Sequence, residues 1–387
     1  MRIRVATLNV WALPGPLAPS VGARMQAIGR RLASLDLDAI AFQEVWTGGA
    51  RERLVAAGRA AGLPGAWHHP AGFGGGLLVL TRLPIRSARF DSFSLRGNPV
   101  RPDHPDYYGG KGWATLELAT RAGPLVLVDT HLHARYTNDV PHAYRAHRVG
   151  QIAELALASR ELQHPVVMLG DFNFVDDQPE HAILTGLTGL RDVAAELDAA
   201  SATVLRANPY RAYSRKPDRR VDYVFARDGG GTAVVPLHSQ RIFDERLDLD
   251  GGPASCSNHA GVLAELEVVP GAGRALAPPT PHAVSLASQF LREGRHRAQQ
   301  RRRGDRAWAG AGLGAAALAS FGMRDPRVSR RRLLRTALQA GALLALTPGV
   351  GFSIVSEVLT PDELRAFDRL NARLAHLPAA PGSAWSV

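Results

Sequence analysis

The sequence predicts a layered α/β protein, one large domain followed by a helical, partly apolar tail. Short apolar runs of strand length alternate with helix-period patterns up to about Val269. Polar residues of catalytic type recur at the ends of those runs, where layered α/β proteins collect ligands. The stretch PGAGRALAPPTPH, residues 270 to 282, then breaks both periods with Pro and Gly and reads as a linker. With 387 residues, 45% of them hydrophobic, the chain can bury one core of about 250 residues and something beyond it.

Taken in order, strands are expected at 2 to 8, 38 to 43, 76 to 81, 112 to 118, 124 to 130, 165 to 170, 220 to 226 and 261 to 268. A helix is expected over 21 to 35, from the spacing of Val21, Met25, Ile28, Leu32 and Leu35, with Ser20 as its N-cap. A second, over 141 to 160, is carried by Ile152, Leu155 and Ala156. In VVMLGDFNFVDD, residues 166 to 177, an apolar run fits a strand covered on both faces, and Gly170 lets the backbone turn. Asp171 and Asn173 then stand at a strand mouth, where the bland reading is an Asx-type turn. No internal repeat is visible in the sequence.

Charge divides at the same boundary. The chain carries 46 basic and 35 acidic residues; 17 and 7 of these lie in 271 to 387, leaving 29 and 28 in front. A nuclease tracks phosphates with a positive field around its groove, and the near-neutral front offers little of that. Within residues 270 to 306, taken as a Pro/Gly-rich and then Arg-rich linker, seven arginines fall between 292 and 306, a density suited to anionic headgroups. Residues 307 to 387 form the helical, hydrophobic tail. Its stretch 307 to 322 is short for a membrane span, whereas 336 to 356 is long enough but holds Pro348. A membrane-crossing hairpin would carry Arg324, Arg327, Arg330, Arg331, Arg332 and Arg335 across, a cost that an interfacial anchor or single span avoids. Thr360, Pro361 and Glu363 form a capping-box pattern before Leu364, Phe367, Leu370 and Leu374. The only cysteine, Cys256, excludes an intramolecular disulfide, and MRIRVATLNVW lacks the apolar stretch of a secretory signal, so no N-terminal signal peptide is expected.

Asn9, Glu44, His131, Asp171 with Asn173, Asp222 and His259 all follow or open strand-like runs. A hard cation such as Mg²⁺ takes one or two carboxylates or amides and keeps several waters, so Asn9 and Glu44 make a sparse metal site. An imidazole can take a proton from water near neutral pH, and a carboxylate on its other nitrogen fixes the tautomer; His259 with Asp222 fits that pair. Singly, each has a bland reading as a solvated or locally bonded residue. Their joint order along the chain is the signal.

LNVW, QEVW, THLHARY, GDFN, RVDYVF and SNH, in that order over residues 1 to 269, resemble the endonuclease/exonuclease/phosphatase superfamily, the DNase I-like fold. The resemblance implies a four-layer αββα sandwich with the metal and catalytic residues at one edge, and cleavage of phosphodiesters or phosphomonoesters. THLHARYTNDVPHAYRAHRVGQIAEL, residues 130 to 155, and DYYGGKGW, residues 106 to 113, resemble the neutral sphingomyelinase and inositol-phosphosphingolipid phospholipase C branch. In the second of these an Asp, here Asp106, lies five residues before a Lys, here Lys111. Lys111 is one of two lysines beside 44 arginines, which hints at a site needing a compact ammonium; the bland reading is a hairpin turn at YYGGK. One departure stands out: the family's final Ser-Asp-His is here Ser257, Asn258, His259, so a metal ligand at Asn258 would lack charge.

The implied enzyme is a Mg²⁺-dependent phosphodiesterase, with Mn²⁺ as an alternative ion, acting on a sphingolipid or related phospholipid head group. Glu44 and Asn9 hold the metal, His259 oriented by Asp222 activates water, and Asp171 positions that water or base. His131 and Asn173 donate to the phosphoryl oxygens, and Asp106 and Lys111 arrange a loop beside the phosphate. The expected partners are the lipid substrate and a membrane surface met by the basic tail, with the protein at the cytoplasmic face of a membrane or cytoplasmic with peripheral membrane association. A metal-dependent endonuclease, an inositol-phosphate phosphatase and an inactive lipid-binding protein are the competing readings, with nucleic acid the weaker partner.

Overall fold

A computed structural model describes residues 1–69, 74–101, 103–136, 144–211, 216–324, 328 and 331–377. One six-stranded mixed sheet joins β1 (Arg2–Ala12), β2 (Ala39–Val45), β3 (Gly65–His68) and β4 (Leu78–Thr81) to β11 (Thr232–Ile242) and β14 (Gly261–Pro270). Its order is β11-β14-β1-β2-β4-β3. The second sheet, ordered β5-β6-β7-β8-β10-β9, takes β5 (Ile85–Ser92), β6 (Gly112–Thr120), β7 (Gly123–His131), β8 (Val166–Asp171), β9 (Arg191–Asp192) and β10 (Asp222–Arg227). A two-stranded ribbon, β12 (Leu247–Leu249) with β13 (Gly252–Ala254), lies apart.

The alternation of apolar residues decides the layering. Ile3, Val5, Leu116, Leu127, Leu169 and Leu266 belong to one buried cluster formed where the two sheets meet. The other face of the first sheet offers Leu8 and Phe42 to Met25 and Ile28 of α1 (Val21–Leu32) and Leu54 of α2 (Gly48–Ala60). The other face of the second sheet packs Val128, Met168 and Phe225 against α4 (Arg145–Arg160) and α5 (Pro179–Thr188). These are the four layers of an αββα sandwich. Two short helices, α3 (Asp106–Gly109) and α6 (Val193–Glu196), lie in connections.

Each sheet contains one parallel pair joined through an outer helix, β1 to β2 by way of α1 and β7 to β8 by way of α4. Parallel neighbours end at the same edge, so Asn9 and Glu44 in one sheet meet His131 and Asp171 in the other. Asp222 opens antiparallel β10 directly opposite Asp171, and His259 comes just before β14, which brings both to that edge.

All eight expected strands are present. Missed were β5 and β11, whose exposed faces break the apolar pattern, along with the short β3, β9, β12 and β13. Gly170 plays a different part from the turn expected of it. It lies inside β8, where a Cβ would come 1.9 Å from the Thr130 carbonyl oxygen of β7; the chain bends instead at Asn173, whose φ is 53°. Ser20 does not cap α1: its φ is 47° and its hydroxyl donates to Asp250 at 2.5 Å. The second expected helix starts at Arg145, and its expected first residues 141 to 143 lie outside the described residues.

The stretch expected as a linker is mostly helix, because α7 runs unbroken from Pro281 to Gly322. Ala287 and Leu291 of α7, with Phe367, Leu370 and Leu374 of a last helix, α9 (Thr360–Ala375), join the same buried cluster as α4 and the second sheet. Between them, α8 (Arg332–Ile354) folds back on the far part of α7 and carries Pro348 inside it. No capping box forms at Thr360, since a π-helical turn over 355 to 359 carries α8 straight into α9. Of the tail arginines expected to resist crossing, Arg327 and Arg330 lie outside the described residues.

Candidate active site

The strand ends reach the site through strained backbone. Trp11, Glu44 and Asn173 all have positive φ (47°, 59° and 53°), and the pairing of β1 with β2 slips between Asn9 and Ala12. Left-handed conformations in residues other than Gly cost about 1–3 kcal/mol and cluster where function re-aims side chains.

Asn9 links the two sheets. Its side-chain Nδ2 donates to Glu44 Oε1 and to Asp171 Oδ2, both at 2.9 Å, while its oxygen accepts from the Trp11 backbone N–H. Two carboxylates from different sheets therefore converge on one amide. Asp171 also accepts from the Asn173 backbone N–H at 3.0 Å. Burial and the neighbouring Asp222 push its carboxyl up to about 6, against the opposing pull of His259.

His259 Nδ1 lies 2.9 Å from Asp222 Oδ2, and its Nε2 points toward Asp171 at 4.0 Å. Burial alone would lower this imidazole, but Asp222 and Asp171 outweigh it and raise it to about 9. Ser257 pins the segment by donating to the Asn9 carbonyl at 2.6 Å, and Asn258 lines the cleft with its oxygen turned to the Ser257 hydroxyl at 3.3 Å.

On the other side of Asp171 stands His131, with Nε2 3.5 Å from Asp171 Oδ2. Lys111 donates to that same Nε2 at 2.9 Å, to Asp106 Oδ2 at 2.8 Å and to the Leu132 carbonyl at 2.9 Å, so its three N–H bonds are all engaged. Accepting from Lys111 fixes the proton of His131 on Nδ1, and burial with the Lys111 charge holds the ring neutral. Asp106 also accepts from Ala134 N and the Tyr136 hydroxyl, both at 2.6 Å. Burial raises Asp106, but Lys111 and the nearby histidines overcome this and keep it ionised. Asn173 Nδ2 shares the Leu132 carbonyl at 3.0 Å. The YYGGK stretch is a helical turn ended by Gly110 at φ 64°, not a hairpin.

All ten sequence-nominated residues thus stand at one edge of the sandwich: Asn9, Glu44, Asp171, Asp222, Asn258 and His259 in one network, with His131, Asn173, Lys111 and Asp106 adjoining it. Eight of them line a cleft of about 470 Å³, with Asn9 and Asp222 buried behind it, and its wall includes the apolar Trp11, Leu13, Leu17, Trp46 and Tyr108. Sequence reasoning missed this wall, although LNVW and QEVW each place a Trp two residues beyond the site residue. It also missed Tyr136, which carries no charge to draw notice.

The donor set suits a hard divalent cation. Glu44 and Asp171 bring two carboxylates together at Asn9, whose Nδ2 bonds one oxygen of each, and the raised Asp171 is a buried carboxylate short of positive charge. Asp171, Asp222 and His259 also present ligand atoms within 4.8 Å of one another. Because His259 Nδ1 is already bonded to Asp222, the Glu44 and Asp171 carboxylates are the better pair of donors.

A family model described as Endonuclease/Exonuclease/phosphatase family matches residues 6–259, and the chain belongs to that family. It is 30% identical over 276 residues to a putative neutral sphingomyelinase of Drosophila melanogaster, covering 69% of this chain and 61% of that protein. Against an inositol phosphosphingolipids phospholipase C of Schizosaccharomyces pombe it is 31% identical over 187 residues, 47% and 44% of the two chains. The chain thus spans about half to three fifths of these relatives. Among solved structures, beta toxin from Staphylococcus aureus superposes with a TM-score of 0.56 at 18% identity, over 68% of this chain and 99% of the toxin. A structure of the same toxin with bound magnesium ions gives 0.53 at 15% identity, again over 68% and 99%.

Proposed function

We propose that the protein is a Mg²⁺-dependent phosphodiesterase that hydrolyses the head-group phosphodiester of a sphingolipid or related phospholipid. The observation that carries this reading is the His259–Asp222 pair, 2.9 Å apart, set beside the Asp171–Asn9–Glu44 cluster at a cleft with an apolar wall. Mn²⁺ would suit the same oxygen donors.

Glu44 and Asp171, spaced by Asn9, would hold the metal, which when bound polarises a phosphoryl oxygen. With the cation's charge beside Asp171 and Glu44 offsetting the carboxylates that raise it, His259 would be neutral; its Nδ1–H donated to Asp222, it then offers Nε2 to take a proton from water as the water oxygen attacks phosphorus. The P–O bond to the lipid alkoxide breaks opposite the attack; the alkoxide takes a proton from water, His259 returns its own to solvent, and the products are ceramide and a head-group phosphate. Asp222 stabilises the imidazolium and Asp171 positions the water. Asn173 can donate to a non-bridging oxygen once it exchanges the Leu132 carbonyl for the phosphate, and His131 once its proton moves from Nδ1 to Nε2 as the phosphate replaces Lys111 there. Lys111, steadied by Asp106, keeps a compact positive charge at that edge. Hydrophobic chains suit the wall of Trp11, Leu13, Trp46 and Tyr108 better than a polyanion does, which favours lipid over nucleic acid.

The reading extends to a membrane surface, at its cytoplasmic face, met through the tail. Where α7 and α8 pair, small residues face inward: a Cβ on Gly312 would come 2.9 Å from Gly349 Cα. Large apolar ones face outward, with Leu318, Phe321, Leu333 and Leu344 between 73% and 88% exposed. Water-soluble helix pairs do the reverse, whereas helices in lipid pack through small residues. One continuous helix, Arg332–Ala375, is long and apolar enough to cross a membrane.

The test is a parallel assay with purified protein and Mg²⁺ on sphingomyelin, an inositol phosphosphingolipid, phosphatidylcholine, a phosphoinositide and plasmid DNA. Turnover of a sphingolipid, with DNA untouched, is the expected result; cutting of DNA alone would establish the endonuclease reading instead.

A further inference from the structure

The tail helix α9 reaches the active site through an unbroken set of side-chain contacts. Glu363, buried near its start, accepts from Arg301 of α7 and sits 2.9 Å from Nε2 of His147, in the first turn of α4. The His147 ring meets Tyr144 edge-on at 5.4 Å and His133 at 5.8 Å. Tyr144 stacks on His133 at 4.1 Å. Nδ1 of His133 bonds the Ala134 carbonyl at 2.8 Å and lies 3.5 Å from Asp106 Oδ2, the oxygen that receives both Ala134 N–H and Lys111.

A second branch runs beside it. The Tyr144 hydroxyl is 2.7 Å from His104 Nδ1, and the His104 ring stacks at 4.5 Å on Tyr136, which donates to the other oxygen of Asp106. Both branches end on one carboxylate, and that carboxylate orients Lys111. Packing leaves the helices little freedom to shift independently. A Cβ on Gly294 of α7 would come 2.5 Å from Ala146 Cβ and 2.6 Å from Phe367, so α7, α4 and α9 touch one helical turn from Glu363.

We propose that Glu363 is a positioning residue of the catalytic centre: from the tail, through His147 and the His133–Tyr144 stack, it holds Asp106 where Asp106 orients Lys111 toward the scissile phosphate. Two features favour this over packing alone. A buried carboxylate is a costly way to fix a helix whose Phe367, Leu370 and Leu374 already bury apolar surface. The contacts from His147 onward also lead to the one lysine in the cleft rather than ending in the core. The inference rests on the phosphodiesterase reading of the site. It makes the tail part of the catalytic unit as well as its tether.

A double-mutant cycle on the full chain decides it, assayed with detergent-dispersed sphingolipid so that membrane binding plays no part. Glu363→Ala is expected to lower kcat about tenfold with KM changed less than about twofold, and Glu363→Gln, which keeps an acceptor for His147, to recover part of the loss. In a Lys111→Ala background, Glu363→Ala should cost less than about twofold further, because its route is already cut. Leu374→Ala, in the same helix and core but about three turns from His147, should lower Tm at least as much and leave kcat unchanged. Full additivity of the Glu363 and Lys111 effects, an unaffected kcat in Glu363→Ala, or an equal loss of kcat in Leu374→Ala would each overturn the proposal. If Glu363→Ala does not fold, Glu363→Gln carries the same cycle with smaller effects. Failure of the unaltered protein to turn over any phosphodiester would instead strike the functional reading itself.

Discussion

Two stretches of one helix show how differently this chain uses apolar residues. Over its first part, α7 buries Ala283, Ala287, Leu291 and Ala298 against α4 and the second sheet. Beyond Arg306, Trp308, Leu318 and Phe321 point outward, at 67%, 75% and 73% exposure, and only small residues such as Ala309 and Ala316 are covered. The backbone is the same and the environment is not. The first part is folded by the protein's own core; the second has its large side chains arranged for surroundings that the protein does not supply.

Removing the first part should have the largest effect. A chain ending at Val269 would uncover the side of α4 that Leu291, Phe367, Leu370 and Leu374 now cover. At about 1.5–3 kcal/mol for each large apolar side chain, the loss is roughly 6–12 kcal/mol, comparable to the whole stability of a domain. Such a protein is expected to be insoluble or to lack a cooperative melting transition by calorimetry. A soluble, active fragment with an unchanged Tm would show that the sandwich is independent of its tail.

Altering the second part should spare the fold and abolish attachment. Replacing Leu318, Phe321 and Leu344 together by Ser removes no buried contact, so Tm and the rate on dispersed substrate should hold within experimental spread. Flotation with anionic liposomes should be lost. Release of the unaltered protein by high salt would indicate that arginines alone hold it at the surface; resistance to salt would indicate insertion of α8.

A smaller effect sharpens how the tail docks. Glu154 of α4 is half-buried, accepts from Ser94, and is raised by its desolvation from 4.5 to about 7, with Ser94 and then Arg369 and Arg373 of α9 pulling the other way. A carboxyl raised on folding stabilises the fold fully below its unfolded value near 4.5, and that contribution is lost as pH rises through about 7. Glu154→Gln should therefore stabilise the protein at pH 8 by roughly 2–3 kcal/mol in urea melts and do little at pH 4.5. Equal effects at both pH values would mean that Glu154 does not titrate on folding.

The same division governed what the sequence could reveal. The core strands were legible because their apolar runs are uninterrupted, and the site because Asn9, Glu44, His131, Asp171, Asp222 and His259 each stand at such a run's end. Strand β11 was not: its PLHSQR stretch, interrupted by Pro236 and half-exposed, shows no period. The docking of α7 was hidden for a related reason. Its buried face there is largely alanine, so the arginines between 292 and 306 dominated the reading. The apolar cleft wall and the Glu363–His147 contact join residues distant in sequence, and pairings of that kind carry no local signal.

The central claim is that His259, held by Asp222, activates water beside a metal between Glu44 and Asp171. The most direct measurement is kcat on a dispersed sphingolipid at saturating Mg²⁺ for the unaltered protein and for His259→Ala, each also after exhaustive chelation. The expected result is at least about a 10²-fold fall for His259→Ala at unchanged Tm, and loss of turnover in both on chelation that Mg²⁺ reverses. A His259→Ala rate within about threefold of the unaltered protein, or full activity in the chelated protein, would contradict the account.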